Sequence, residues 1–304
     1  MKKFLVLDNS NIMYKTFYAM NKGSDVDTNS GIAIQAALFS CNKYFKKYNP
    51  TQVVMTFDRP NWRKKYTESE ECISQKIYKG NRRQKSTPAE KRKYKTFKEQ
   101  LFDFETLMRE RTSVICLSGE DLEADDLIAM FVYMHPDDEI IIISSDKDLI
   151  QLLDQDNVRL IDPATGKART LDDWNGDRNL FMFEKCIRGD FGDNVQSALP
   201  RVRKTRILKA YNDEFEKTNL MNETWIHPVD DREMSVKALF EEGKLLMDLT
   251  NQPLEIQKKA VRIILHEMKN IGNFSYFHFM RYLGKRGLKK IADQATTLAK
   301  MLNL

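Results

Sequence analysis

The chain has 304 residues, 49 Lys and Arg against 44 Asp and Glu for a formal net charge of +5, and is 41% apolar and 31% charged. That length holds one or two domains with a sizeable core, and the ordinary apolar fraction excludes a disordered chain or a coiled coil. The longest apolar runs, such as Phe4-Leu-Val-Leu7 and Ile140-Ile-Ile-Ile143, fall far below the roughly 20 residues that cross a bilayer, so no membrane segment is expected.

The opening, Met1-Lys-Lys-Phe-Leu-Val-Leu-Asp8, starts with basic residues as a signal peptide does. Its apolar run stops at an aspartate after four residues, too short for an export signal, and the expected location is the cytoplasm. Phe4-Leu-Val-Leu-Asp8 is instead a predicted strand, followed by a helix over residues 31–48 and a second strand, Val53-Val-Met-Thr-Phe-Asp58. A basic segment occupies residues 59–98, a helix is predicted over 122–134, and Ile140-Ile-Ile-Ile-Ser-Ser-Asp146 is a third strand. The three runs are rich in β-branched residues and do not alternate with polar ones, the pattern of strands buried on both faces of a parallel sheet. Strands alternating with helices give an α/β fold with a central, mainly parallel sheet flanked by helices.

After about residue 180 the pattern is helical, with predicted helices at 181–189, 204–212, 234–250, 256–270 and 289–302. The expected organisation is an α/β domain over residues 1–180, carrying a basic segment at about 60–100 that the family resemblance given below implies is a helical arch, and a helical domain over 181–304. The cysteines, Cys41, Cys72, Cys116 and Cys186, lie far apart with no C-x-x-C pair and read as reduced thiols. His135, His227, His266 and His278 show no metal-ligand spacing, and the aromatic cluster Phe274, Tyr276, Phe277 and Phe279 reads as core.

Charge is unevenly distributed. Residues 59–98 hold 14 Lys and Arg and four Glu, a local net of +10, so the rest of the chain sums to −5. Trp62, Tyr66, Tyr78 and Tyr94 are interleaved with those cations, as a path for single-stranded nucleic acid requires: phosphates on the cations, bases on the rings. Two smaller clusters follow, Arg201-Val-Arg-Lys-Thr-Arg206 and the group Arg281, Lys285, Arg286, Lys289 and Lys290, both suited to duplex backbone.

All three predicted strands end in acid, and ligands of parallel α/β sheets bind beyond the carboxyl ends of the strands. Asp8 and Asp58 close the first two strands, Asp146 and Asp148 follow the third, Glu123, Asp125 and Asp126 lie in Gly119-Glu-Asp-Leu-Glu-Ala-Asp-Asp126, and Asp190 and Asp193 lie in Arg188-Gly-Asp-Phe-Gly-Asp-Asn194. On a helix Glu123 and Asp126 share a face, whereas Asp125 is turned about 100° from Asp126. Carboxylates gathered in this number repel one another unless cations neutralise them, and hard oxygen ligands select Mg²⁺ or Mn²⁺.

These motifs resemble those of the structure-specific 5′ nucleases, the flap endonucleases, bacterial polymerase 5′-nuclease domains and bacteriophage 5′ exonucleases. The resembling residues are Leu7-Asp8, Phe57-Asp58, Ile77-Tyr-Lys-Gly-Asn-Arg82, Leu122-Glu-Ala-Asp-Asp126, Ser144-Ser-Asp-Lys-Asp-Leu149 and Arg188-Gly-Asp-Phe-Gly-Asp-Asn-Val195, in family order over residues 1 to about 210. Within the family the chain looks most like the bacteriophage ribonuclease H type. The resemblance implies a 5′→3′ exonuclease and flap endonuclease with a two-metal site, two Mg²⁺ with Mn²⁺ as a substitute. By similarity Asp8, Asp58, Glu123, Asp126 and Asp146 hold the first ion, Asp148, Asp190 and Asp193 serve the second, and Asp125 is a less uniformly acidic position. Lys79 is implied to contact the scissile phosphate, with Arg82 as a second cation, Tyr78 as a base-stacking residue, and Arg83 and Lys85 further along the arch; Asp126 and Asp146 join Lys79 and Arg82 in the catalytic set.

One departure concerns the segment after Asp193. Relatives place a glycine-containing turn there that holds duplex phosphate with a monovalent cation; here Gln196-Ser-Ala-Leu-Pro-Arg-Val-Arg-Lys-Thr-Arg206 has no glycine, which puts the cation site in doubt and leaves Arg201, Arg203, Lys204 and Arg206 to hold phosphate directly. The implied partners are DNA and RNA:DNA duplexes with 5′ single-stranded flaps, with a single-strand-binding protein as a further partner, met by a monomer. Two rival readings are a non-catalytic binder of branched DNA, against which all nine acidic positions being filled argues, and an unrelated α/β phosphotransferase or phosphatase, which has no use for the basic arch.

Overall fold

A computed structural model describes residues 1–20, 31–82 and 87–304. The chain folds into two compact units, neither of them continuous in sequence: Met1–Arg59, Thr87–Arg169 and Lys258–Leu304 form one, and Pro60–Ser86 with Thr170–Gln257 forms the other. The basic stretch is therefore shared, its first part in the second unit and its last part in the first.

The first unit is built on a five-stranded sheet of β1 (Lys3–Asp8), β2 (Gln52–Thr56), β3 (Ile115–Leu117), β4 (Glu139–Ile143) and β5 (Val158–Ile161), all parallel, in the order β3-β2-β1-β4-β5. Central β1 is buried along Phe4 to Asp8, and β2 and β4 are buried after their first residue, as a sheet covered on both faces demands. Its helices are α1 (Asn9–Met20), α2 (Ile32–Tyr48), α4 (Pro88–Arg111), α5 (Ala124–Met134), α11 (Tyr276–Lys285), α12 (Lys289–Ala292) and α13 (Ala295–Leu302), with α10 (Leu254–Lys269) running into it from the second unit. The core joins Leu5, Leu7, Val53, Met55, Ile141 and Ile143 of the sheet to Ile34, Leu38, Phe104, Phe279 and Leu298 of the helices. Because the chain adds β2 and β3 on one side of β1 and returns to the other side with β4, the order reverses between β1 and β4. In such sheets a crevice opens at the carboxyl ends of the strands at this point.

The second unit holds α3 (Trp62–Thr67), α6 (Arg178–Arg188), α7 (Lys204–Asn212), α8 (Glu214–Met221), the hairpin of β6 (Thr224–Ile226) and β7 (Glu233–Ser235), and α9 (Val236–Met247). Phe183, Ile187, Ile207, Leu220, Val236 and Leu239 make its core. Its caps are legible: Asp177 accepts from the amides of Asn179 and Leu180 at the start of α6, and Ser235 accepts from Ala238 at the start of α9.

Several elements differ from their sequence reading. The helix anticipated over 234–250 is shorter because Glu233–Ser235 pairs with Thr224–Ile226 before α9 begins. The one anticipated over 289–302 is broken between α12 and α13. The aromatic cluster divides, Phe279 buried but Tyr276 and Phe277 exposed at 50% and 70%. All four cysteines are buried and free. Among the described residues no helix is long and apolar enough to cross a membrane.

Candidate active site

Asp8 is the last residue of β1, at the reversal point of the sheet, and is buried. One carboxylate oxygen accepts from the Asn11 amide (3.1 Å) and the other from the Ser144 hydroxyl, just past β4 (2.7 Å). Burial pushes its carboxyl up to about 7, and the negative charges of Asp58 and Asp146 add to the rise against those two hydrogen bonds. Ser144 Oγ also accepts from the Asp146 amide (3.0 Å), so one hydroxyl fixes the ends of two strands relative to each other.

Asp58 lies two residues past β2. Its amide donates to Ser10 Oγ (2.8 Å), and its Oδ1 accepts from the amide of Ala124, the first residue of α5 (2.8 Å). Glu123 and Asp126 form a reciprocal capping box at the same helix start, the Glu123 amide donating to Asp126 Oδ2 (3.0 Å), and both are buried. Asp125 is only half-buried, in keeping with its turn away from Asp126. Asp146 Oδ1 accepts from the Asp148 amide (2.9 Å), where a short 3₁₀ turn, Asp148–Leu152, begins. The sheet edge thus gathers Asp8, Asp58 and Asp146 into electrostatic contact and sets the start of α5, with Glu123 and Asp126, against Asp58.

Among the described residues no three His, Cys, Asp or Glu side chains are arranged so that they could hold a metal ion as they stand. Asp58, Asp126 and Asp146 each accept a hydrogen bond from a backbone amide. The donor chemistry nevertheless fits a hard divalent cation: the donors are oxygens, Asp8 is raised by burial and then by its acidic neighbours, and beside it Asn9 is fully buried with neither amide atom hydrogen-bonded.

The acids of the second unit are held differently. In the turn after α6, Asp190 and Val195 exchange backbone hydrogen bonds, Asp190 Oδ1 accepts from the Asp193 amide (3.0 Å), and Asp190 Oδ2 pairs with Lys185 (3.2 Å). Burial pushes the Asp190 carboxyl up, but Lys185 and the Asp193 and Gly192 amides outweigh it and hold the group below the usual carboxylate range. Gly189 (φ 66°) admits no side chain, because a Cβ there would sit 2.6 Å from Ser197 N and Val195 O. Asp193 Oδ2 accepts from the Tyr78 hydroxyl (2.7 Å) and lies 3.5 Å from Lys79 Nζ, while its carbonyl accepts from the Lys79 amide (2.8 Å). Lys79 is itself left-handed (φ 56°), a backbone state that a side chain other than glycine adopts only under constraint.

This arrangement corrects the role anticipated for Tyr78. The ring is 5% exposed, with the Arg63 guanidinium 6.0 Å and Lys79 Nζ 4.9 Å from its centroid, so it is closed to a stacking base. Trp62 is also buried, Tyr66 half-buried, and only Tyr94 of the four interleaved aromatics is exposed. Arg63, which the sequence offers only as one cation among many, is 2% exposed and donates from Nε to the Leu246 carbonyl (2.7 Å). Arg82 contributes its backbone to the short turn Gly80–Arg82, and Arg83 and Lys85 lie outside the described residues. On α4 the cations Lys91, Arg92 and Lys95 are exposed.

In the glycine-free segment Arg201 takes the left-handed conformation (φ 57°) and Arg203 stands at the start of α7. Lys204 lies 3.9 Å from Glu184 and Arg206 pairs with Glu223, whereas Arg201 and Arg203 are exposed and have no acidic partner among the described residues. Lys185 and the buried Arg63 are features that no sequence motif marks.

The family described as 5′-3′ exonuclease, N-terminal resolvase-like domain, matches residues 3–179. The chain is similar to DNA polymerase I of Streptococcus pneumoniae, 29% identical over 219 residues that make up 68% of this chain and 23% of that protein, so it spans about a quarter of that relative's length. It is similar also to a 5′-3′ exonuclease of Buchnera aphidicola, 23% identical over 209 residues, 64% of either chain. Among solved structures the fold is similar to that of a bacteriophage T5 flap endonuclease in a pseudo-enzyme–product complex with DNA and metal ions (TM-score 0.65, 18% identity, covering 88% of this chain and 100% of that one). It is similar to that of the T5 5′-exonuclease with zinc ions bound (TM-score 0.63, 21% identity, 88% and 100%). At these identities the two structures speak for the fold.

Proposed function

This chain belongs to the 5′-3′ exonuclease family, and from that premise we propose that it is a divalent-metal-dependent 5′→3′ exonuclease and flap endonuclease that hydrolyses phosphodiesters. The observation that carries the reading is the gathering of Asp8, Asp58 and Asp146 at the reversal point of the parallel sheet, with Asp8 raised to about 7 by burial and by its acidic neighbours. A site left so negative is suited to Mg²⁺ or Mn²⁺. Asp8, Asp58, Glu123, Asp126 and Asp146 would hold the first ion; Asp148, Asp190 and Asp193 are assigned to a second by the resemblance alone. Bound there, such ions supply a water of lowered pKa and positive charge at the leaving oxygen.

The chain's own residues would do the rest. Ser144 and the Asn11 amide hold Asp8 in place, and Ser10 fixes the backbone at Asp58. Lys79, once it leaves Asp193 for a phosphate oxygen, is a preorganised cation for the charge that develops there. The exposed cations of α4 would track the 5′ single strand, and Arg201 and Arg203 the duplex backbone. We assign catalysis to residues 1–180 and duplex binding to 181–304. The proposed substrates are 5′ flaps on DNA and RNA paired to DNA, as in removal of lagging-strand primers during bacteriophage replication, in the host cytoplasm, by a monomer that also meets a single-strand-binding protein.

The test is Mg²⁺-dependent digestion of 5′-flap, nicked and RNA-primed duplexes labelled at either end of the cleaved strand. Short 5′-phosphorylated products support the reading, and product size separates exonuclease from flap cutting. Binding of all three substrates with no cleavage by the unaltered protein in Mg²⁺ or Mn²⁺ would instead establish a non-catalytic binder of branched DNA.

A further inference from the structure

We propose that Phe191 is the residue on which a nucleobase of the substrate strand stacks; the proposal rests on the nuclease reading above. Phe191 is 94% exposed, more fully than any other aromatic residue among those described. A lone apolar side chain in water is ordinary and by itself means nothing. Its setting is the argument.

The turn that carries it is pinned from several sides. The Phe191 carbonyl accepts from the Asn194 amide (3.3 Å) and from Asn81 Nδ2 (2.8 Å), Asp190 and Val195 pair across its base, and Asn194 Nδ2 donates to the Ile77 carbonyl (2.9 Å). The backbone under the ring is therefore held before any ligand arrives, which lowers the entropy lost on binding. On either side in sequence stand Asp190, paired with Lys185, and Asp193, beside Lys79. A protein partner that covered the ring would also have to desolvate these charges. A nucleotide matches both features at once, a π face for the ring and a phosphate for the nearby cation. Tyr78, the aromatic that the sequence offered for this role, is buried with its hydroxyl on Asp193. Phe191 is the ring of that same knot left open to solvent.

The probe is a 5′-flap DNA with 2-aminopurine at each flap position in turn, bound to the full chain in Ca²⁺ and read by fluorescence and by titration. The unaltered protein and Phe191→Trp should quench 2-aminopurine at one position. Phe191→Ala and Phe191→Leu should lose that quench and bind the flap about tenfold more weakly, as expected for one lost stacking contact. Unchanged melting temperatures would show that all variants fold. Retained quench with a dissociation constant within twofold in Phe191→Ala would overturn the proposal. So would recovery of full affinity in Phe191→Leu, since that would mark a generic apolar contact and not a stacked ring. Failure of the unaltered protein to cleave any flap in Mg²⁺ overturns the nuclease reading instead, and it is read independently of the Ca²⁺ fluorescence.

Discussion

The two units treat the same residue type in opposite ways. At the sheet edge of the first, Asp8 is surrounded by burial, Asp58 and Asp146, and its carboxyl rises to about 7. In the turn of the second, Asp190 is paired with Lys185 and falls below its ordinary range, and Asp193 has Tyr78 and Lys79 against it. The difference follows from what backbone geometry places nearby. Strand ends at a buried sheet edge offer amides and hydroxyls, which bond a carboxylate without cancelling its charge. The turn after a helix, near the surface, is within reach of long cationic side chains. Beside Asp8 the charged neighbours are acids, whereas Asp190 has a cation beside it.

The largest effect is expected from Asp146→Asn, which removes a charge from the first group and should lower Mg²⁺-dependent cleavage by about a thousandfold or more while circular dichroism stays unchanged. Retained cleavage would show that the strand-end acids are not needed for the chemistry. Lys79→Ala takes away the second group's cation and should slow single-turnover cleavage by about a hundredfold with metal-induced stabilisation intact. The contrast itself is read in chelated protein at pH 8. Asp8→Asn relieves buried repulsion and should stabilise the fold by roughly 2 kcal/mol, whereas Asp190→Asn loses the Lys185 pair and should lower the melting temperature. Shifts of the same sign would show that the two groups do not differ.

Smaller effects test the rest of the second unit. Arg201→Gly relieves a left-handed backbone and should stabilise by about 1 kcal/mol, yet weaken duplex binding and reduce the salt dependence of its affinity by about one ion. A stabilised variant that binds normally would remove Arg201 from the interface. Asp177→Ala deletes the cap of α6, at about 1 kcal/mol of stability in urea melts. The Tyr211 hydroxyl and the two capping amides hold the Asp177 carboxyl low, against a burial effect that would raise it. Its contribution is therefore complete above the ordinary aspartate range and is lost as pH falls through the lower folded value, so the variant and the parent should converge in acid.

Much of this was legible from residues alone. Three apolar runs ending in acid predicted three parallel strands, and the observed strands Lys3–Asp8, Gln52–Thr56 and Glu139–Ile143 agree within three residues at either end. Spacing placed Glu123 with Asp126 and apart from Asp125, and the structure finds that pair joined in a capping box. Ile115–Leu117 and Val158–Ile161 escaped because three or four residues carry too little periodicity to stand out. The strand Glu233–Ser235 was absorbed into a predicted helix because its pairing partner, not its own composition, makes it a strand.

The site divides along the same line. Which acids stand at strand ends is a local matter, determined by where each apolar run stops, and the sequence by itself determined it, as it did the basic excess of residues 59–98. The electrostatic state of each acid was decided only in three dimensions. Ser144 reaches Asp8 across 136 residues and the Tyr78 hydroxyl reaches Asp193 across 115, contacts that no local pattern encodes. Burial likewise turned Tyr78 and Arg63 inward while leaving Phe191 open. A charge's neighbours and its access to water are properties of the packed chain, and they decide whether a carboxylate needs a cation or already has one.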